Sequence, residues 1–135
     1  MSESIEQLRI YTAARTAEDT VYELVKKFPS EQFYELGNEL RRSSAGVSHY
    51  IMEAHRVFSY RLKLDALDYA RHEGDVTKVL LERARAYGAS SDLIDEYTAI
   101  LKQSWGLTRW LRAKLAEKKQ FAEVAAKEQM ADATT

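Results

Sequence analysis

Residues that could bind a metal ion or act in acid–base catalysis are sparse in this sequence. It has no cysteine and three histidines, His49, His55 and His72. Asp68 lies four residues before His72 and Glu53 lies two before His55, but no Glu-x-x-His pair recurs on two segments, as a di-iron helix bundle requires. We therefore predict that the protein has no metal site.

Nucleophilic catalysis and phosphate-loop chemistry are not indicated either. Ser43 and Ser44 follow Arg41 and Arg42, yet no histidine stands at helical spacing from either serine to act as a general base. The five glycines are scattered along the chain and form no glycine-rich phosphate loop. The sequence accordingly predicts a protein without enzymatic activity and without a cofactor.

Positive charge is concentrated in one segment late in the chain. The whole sequence has 20 Lys and Arg against 21 Asp and Glu, a formal net charge of −1. Between Lys102 and Lys119, by contrast, six residues are basic and only Glu117 is acidic. Cations complement the dipole at the end of a helix, but that effect is confined to the last turn and does not reach back to Lys102 and Arg109. Such a local surplus is typical of surfaces that contact phosphates.

A second set of basic residues lies earlier in the chain and consists of Arg41, Arg42, Arg56 and Arg61. For one subunit of near-neutral charge we expect weak binding to nucleic acid, whereas symmetric repetition around a ring would join the basic segments into a continuous belt. The residues that we predict to contact phosphate are Arg41, Arg42, Arg56, Arg109, Arg112 and Lys114.

The two tryptophans lie in the same basic segment, outside its regularly spaced leucine positions. Trp105 shares one side of a helix with Thr108 and Arg112, and Trp110 shares another side with Lys114. A monomeric helical bundle would leave at least one indole near solvent, and exposed aromatic side chains commonly anchor interfaces. We predict that Trp105 and Trp110 belong to an oligomer interface. The alternative is a wide core that buries both.

Helices must position these side chains, because apolar residues recur at spacings of three and four along the chain and never alternate. The first helix is predicted over residues 5–28. It ends at Pro29, which lacks the amide that would continue it, and Ser30 is the expected N-cap of the second helix. The core-facing positions of the first helix are Ile10, Ala14, Ala17, Val21, Leu24 and Phe28.

Three further helices follow with the same spacing. Ser59 is the expected N-cap of the third helix, and Gly88 is its expected end. We predict that this helix is continuous, with a weak point at Gly74. Residues 89–92 contain two hydroxyl groups and a carboxylate, which are typical of a helix N-terminus, and they precede the fourth helix. The core-facing positions are Phe33, Leu36, Leu40, Ser44, Val47, Ile51 and Ala54 in the second helix, Leu67, Ala70, Leu80 or Leu81, Ala84 and Tyr87 in the third, and Leu93, Tyr97, Ile100, Ser104, Leu107, Leu111 and Leu115 in the fourth.

Four amphipathic helices with short connections predict an all-α fold, an antiparallel up-down-up-down four-helix bundle. We assign the bundle domain to residues 1–118 and a helical extension or frayed tail to residues 119–135, which are rich in Ala, Glu and Lys. No apolar run approaches the roughly 18 residues that a membrane span needs, and the N-terminus is acidic where a secretory signal is basic. Since disulfides are excluded as well, we expect a cytoplasmic protein.

Short motifs in all but the first helix resemble those of a known family. Residues 28–31 (FPSE), 40–44 (LRRSS) and 51–54 (IMEA) look like the FP…E…LRRAA…NIAEG pattern of the bacterial four-helix-bundle proteins typified by the 23S rRNA intervening-sequence protein. Residues 67–71 (LDYAR) are similar to the third helix of that family, and residues 100–111 to the fourth. The accessory variability proteins of diversity-generating retroelements belong to the same superfamily. The sequence resembles them at least as closely at Leu36-Gly37, at Met52-Glu53-Ala54 and at Gly106 with Trp110-Leu111.

The resemblance implies a barrel-like homopentamer that binds nucleic acid through basic surface residues and has no enzymatic activity. In the retroelement branch it also implies a reverse transcriptase as partner. The leading hypothesis is thus a non-enzymatic, oligomeric RNA- or DNA-binding adaptor. The alternative is a protein-interaction scaffold in which Trp105, Trp110 and the tyrosines make the contacts and the charges only confer solubility.

Overall fold

Helices make up nearly all of the computed structural model, which describes residues 3–134 and the side chains of residues 6–133. The four long helices are α1 (Glu3–Val25), α3 (Asn38–Arg56), α4 (Tyr60–Arg83) and α5 (Ser91–Thr134). A one-turn helix α2 (Ser30–Gln32) and a π-helical turn (Phe33–Gly37) lead into α3, and a 3₁₀ turn (Ala84–Tyr87) follows α4. No strand occurs in the described part of the chain, so the all-α prediction is confirmed.

The long helices form a closed cycle of neighbours. Helix α1 packs against α3, α3 against α4, α4 against α5, and α5 back against α1. Each helix is joined to its successor by a short connection, so successive neighbours are antiparallel. This is the predicted up-down-up-down four-helix bundle, in which α1 and α4 occupy one diagonal and α3 and α5 the other.

The core consists largely of the predicted positions, but Phe33, Tyr87 and Leu115 are only partly buried and the core positions shift by one residue in α1. Ile10, Ala14, Ala17 and Val21 are fully buried, but the next core position is Val25, whereas Leu24 is only half-buried. The prediction that this helix continues to Phe28 was wrong: α1 ends at Val25, and residues 26–28 form a turn closed by short-range backbone hydrogen bonds. Phe28 is nevertheless buried, because the turn directs its ring against Tyr87, 5.7 Å away between ring centres.

The prediction of Ser30 as an N-cap was also wrong. Ser30 is already the first residue of α2, Pro29 occupies the cap position, and no side chain caps this end. The π-helical turn that follows brings Gly37 close to α1, where a Cβ atom on Gly37 would lie 2.7 Å from Val25 Cγ1. Glycine therefore permits the close approach of the two helices at this end of the bundle.

The predicted N-cap of the third helix is confirmed, but α4 ends at Arg83 and a 3₁₀ turn continues to the predicted end at Gly88. The predicted start of the fourth helix is confirmed as well, since α5 begins at Ser91 and the Ser90 hydroxyl accepts a hydrogen bond from the Leu93 amide. The Ser59 hydroxyl accepts a hydrogen bond from the Leu62 amide at 3.0 Å, as an N-cap should, and Gly88 ends the 3₁₀ turn at a φ of 105°. Helix α4 is continuous through Gly74, where a Cβ would lie 2.6 Å from Leu101 Cδ2. Gly74 is thus a point of close contact between α4 and α5.

The last part of α5 extends past the packed part of the bundle. Every side chain from residue 116 to residue 133 is exposed, although the helix continues to Thr134. None of the helices, as far as they are described, is long and apolar enough to cross a membrane. The domain boundary at residue 118 stays a prediction.

Candidate nucleic-acid interface

The six predicted phosphate-binding residues lie on two helices that do not adjoin. Because α3 and α5 are diagonal in the bundle, the structure does not bring the two sets together on one face. Arg41, Arg42 and Arg56 lie on α3, and Arg109, Arg112 and Lys114 lie on α5.

The two arginines near the start of α3 already have partners within the subunit. The Arg41 guanidinium lies 4.5 Å from the centre of the Tyr22 ring on α1, a cation–π contact. Arg42 forms ion pairs with Glu73 on α4 at 3.2 Å and with Glu39 at 3.5 Å. Much of the positive charge of Arg42 is therefore balanced locally.

Other cations lie where α3 ends and α4 begins. Arg56 is exposed at the last residue of α3, and the Lys118 ammonium lies 4.5 Å from the centre of the Tyr60 ring. Lys63 is buried instead, and its ammonium donates to the carbonyl oxygens of Ala54 (2.9 Å) and His55 (3.4 Å). It therefore satisfies carbonyls at the end of α3 and does not contribute an exposed charge.

The basic residues of α5 divide between two flanks of the helix. Lys102, Arg109 and Arg112 recur at helical spacing with Trp105, on the flank that faces α4. We call these four residues the basic flank. Arg109 and Arg112 are exposed, and neither forms an ion pair within the described part of the chain.

Lys114 lies on the other flank, beside Trp110. Its ammonium is 5.6 Å from the centre of the Trp110 ring and pairs with Glu117 at 3.4 Å. Trp110 is about one-third exposed (36%) and Trp105 somewhat more (42%), so the alternative of a wide core that buries both indoles is wrong for the single subunit.

Arg71 on α4 is a buried cation that the sequence analysis did not single out. Its Nη1 donates to Ser104 Oγ at 2.8 Å and to Thr108 Oγ1 at 2.6 Å, and its Nη2 pairs with Asp68. Burial lowers the pKa of Arg71, whereas the carboxylate of Asp68 opposes that shift. An arginine guanidinium stays charged in proteins, so the buried charge is balanced by Asp68 and by hydroxyl oxygens.

The Arg71 guanidinium also stacks on Trp105, 3.9 Å from the ring centre, and Arg112 lies 5.9 Å from the same ring. Ser104, a polar residue at a predicted core-facing position of α5, was the available signal for such a partner, whereas Thr108 was expected beside Trp105 and is fully buried in the structure. Spacing alone could not identify it, because Arg71 is 33 residues away from Ser104 in the chain.

Comparison with known proteins agrees with this architecture. The family model described as 23S rRNA-intervening sequence protein matches residues 6–113. Among solved structures, the chain is similar to a Bacteroides thetaiotaomicron protein titled as a protein with unknown function from the S23 ribosomal protein family. The two share 18% sequence identity with a TM-score of 0.56, and the match covers 82% of this chain and 98% of the other. A search of curated proteins found no match.

Proposed function

Because the chain belongs to the 23S rRNA-intervening sequence protein family, we propose that it is a non-enzymatic, oligomeric adaptor that binds nucleic acid through phosphate contacts. The basic flank of α5 is the main support, since it presents Arg109 and Arg112 to solvent without an ion-pair partner among the described residues. Unpaired, exposed guanidinium groups bind phosphate with little competition from the protein itself. The proposed place of action is the cytoplasm.

The six predicted residues contribute unequally in this proposal. Arg109 and Arg112 make the principal contacts, and Arg56 adds an exposed charge at the end of α3. Arg41, Arg42 and Lys114 are secondary, because each already contacts a tyrosine, a carboxylate or a tryptophan in the subunit. For Arg42 and Lys114, contact with phosphate competes with a carboxylate that is already paired.

Assembly of several subunits is part of the proposal, because one near-neutral subunit offers too few contacts. Large apolar side chains are exposed on α4 at Leu62 (54%), Tyr69 (58%) and Val79 (56%), and Trp110 is exposed on α5. Exposed apolar groups of this size support an interface between copies. A ring repeats the basic flank and makes binding multivalent.

Light scattering tests this assembly. We expect a homopentamer, with a mass about five times the 15.5 kDa of one chain, and burial of Trp105 or Trp110 on association. A particle of 15.5 kDa at micromolar protein concentration would contradict the oligomer and, with it, the multivalent mode of binding.

The salt dependence of binding tests the phosphate contacts. Wild-type protein should retard structured RNA or duplex DNA in a gel at about 50 mM salt, and log affinity should fall against log salt with a slope of about 0.7 to 0.9 per phosphate neutralised. An assembly making roughly 6 to 10 contacts would show a correspondingly steep slope. No retardation at about 50 mM salt would favour the protein-interaction scaffold, since that salt concentration leaves electrostatic attraction strong.

The two branches of the superfamily differ in the partner that they require. A role as accessory protein of a diversity-generating retroelement requires a reverse transcriptase, whose gene would lie next to this one. A gene located inside a 23S rRNA gene would favour the intervening-sequence role. Inspection of the neighbouring genes therefore distinguishes the two forms of the proposal.

A further inference from the structure

Trp105 is an exposed indole whose position is set by a buried cation. The Arg71 guanidinium lies 3.9 Å from the ring centre, and its hydrogen bonds to Ser104 and Thr108 tie it to the same helix that carries Trp105. The pairing with Asp68 holds the guanidinium from α4. The indole is therefore backed on one face by a group that is itself fixed by contacts to two helices.

This arrangement leaves a substantial part of the aromatic surface available. Trp105 is 42% exposed although Arg71, beside it, is only 5% exposed. An aromatic group that is already held in place loses little conformational freedom when a second planar group stacks on it. The guanidinium therefore restricts the motion of the indole, and the exposed part of the ring can contact a flat ligand.

Positive charge lies next to the indole. Arg109 and Arg112 follow Trp105 by about one and two helical turns on the same side of α5, and Arg112 is 5.9 Å from the ring centre. Both guanidinium groups are exposed and lack an ion pair among the described residues. A ligand that combines a flat ring with neighbouring anionic groups fits this surface, and a nucleotide has that combination.

We propose that Trp105 stacks on an unpaired nucleobase of RNA while Arg109 and Arg112 contact the adjoining phosphates. This inference rests on the proposed function and specifies its ligand as single-stranded RNA, or a loop or bulge of a folded RNA. Bases inside a duplex are stacked on one another and present no open face, whereas unpaired bases stack readily on aromatic side chains. This role leaves Trp110, rather than Trp105, as the indole that is buried between subunits.

The first test compares two forms of the same RNA. Binding of a fluorescein-labelled 12-nucleotide RNA without self-complementarity is measured by anisotropy, alone and annealed to its complement. Trp105→Leu should weaken binding of the single strand about fivefold to a hundredfold and change binding of the duplex little, because stacking is lost while the cations remain. Trp105→Phe keeps an aromatic face and should retain most of the affinity.

Phe121→Leu provides a matched control, since Phe121 is an exposed aromatic residue on the same helix and is 80% exposed. It should bind both RNAs as wild type does. Far-ultraviolet circular dichroism and light scattering of each variant establish that helix content and oligomer mass are unchanged.

Fluorescence gives a second readout that does not depend on truncating Trp105. The chain has two tryptophans, so Trp110→Phe leaves Trp105 as the only indole, and the variant is used only where light scattering gives it the wild-type mass. Addition of the single strand should quench the Trp105 emission, because the indole stacks on a base. Addition of the duplex should leave the emission unchanged. If wild type binds RNA but the emission is unchanged and Trp105→Leu binds the single strand normally, the stacking role is wrong and the proposed phosphate binding stands. If wild type binds neither RNA, the proposed function and this inference both fail.

Discussion

Charge reversal at Arg109 and Arg112 together is expected to abolish retardation of RNA and DNA by this protein while its helix content and oligomer mass stay unchanged. Both side chains are exposed and lie outside the core-facing positions of α5, so the substitution does not disturb packing. In the proposed binding mode, each reversal removes a phosphate contact and adds repulsion in every subunit of the proposed ring. The loss of affinity should exceed about 100-fold at low salt, because electrostatic contacts supply most of non-specific binding.

A matched variant separates the site from total charge. Lys26→Glu with Lys27→Glu also reverses two exposed cations, and each double variant takes the chain from a net charge of −1 to −5. Lys26 and Lys27 lie in the turn before Pro29, away from the basic flank. The control should keep most of its affinity. Equal loss in both variants would mean that overall charge governs binding and that Arg109 and Arg112 are not a site.

Leu40→Ala is expected to lower the free energy of unfolding by about 2 to 5 kcal/mol. Leu40 is fully buried in α3, in the core cluster that holds the four helices together. Truncation removes apolar contacts and leaves a cavity that the surrounding helices fill only in part. Urea unfolding at one fixed protein concentration measures the change, because the stability of the proposed oligomer would vary with concentration.

Leu8→Ala is the appropriate comparison, since Leu8 is a leucine on a helix but is 48% exposed. Its substitution should change the free energy of unfolding by no more than about 0.5 kcal/mol. A loss below about 1 kcal/mol for Leu40→Ala would show that the cavity collapses or that this position contributes little to the core.

Local signals in the sequence were sufficient for the helices and for most of their buried sides. Helical spacing identified Leu40, Val47 and Ile51 in α3 and Leu107 and Leu111 in α5, because burial on one side of a helix repeats every 3.6 residues. Ser59 and Gly88 marked helix ends through their own chemistry, a hydroxyl that accepts an amide hydrogen bond and a residue without a Cβ.

An error occurred where two local signals competed. Ser30 has the side chain of an N-cap, but Pro29 before it takes the cap position and Ser30 enters the first turn of α2. At Gly74 the prediction of a continuous helix was correct, because the apolar positions on either side stay in helical phase although glycine has a low helix propensity.

Periodicity and composition were enough to specify the four helices, their core-facing sides and the concentration of positive charge in α5. Which cations of α3 and α5 remain unpaired depends on how the helices pack: Glu73 on α4 balances Arg42, whereas Arg109 and Arg112 have no such partner among the described residues. Packing also brings Arg71 against Trp105, 34 positions later in the chain. Helical periodicity specifies the direction in which a side chain points around the axis of its helix. The side chain that it contacts depends on the axial position and rotation of the neighbouring helix, which are set by packing of the whole core.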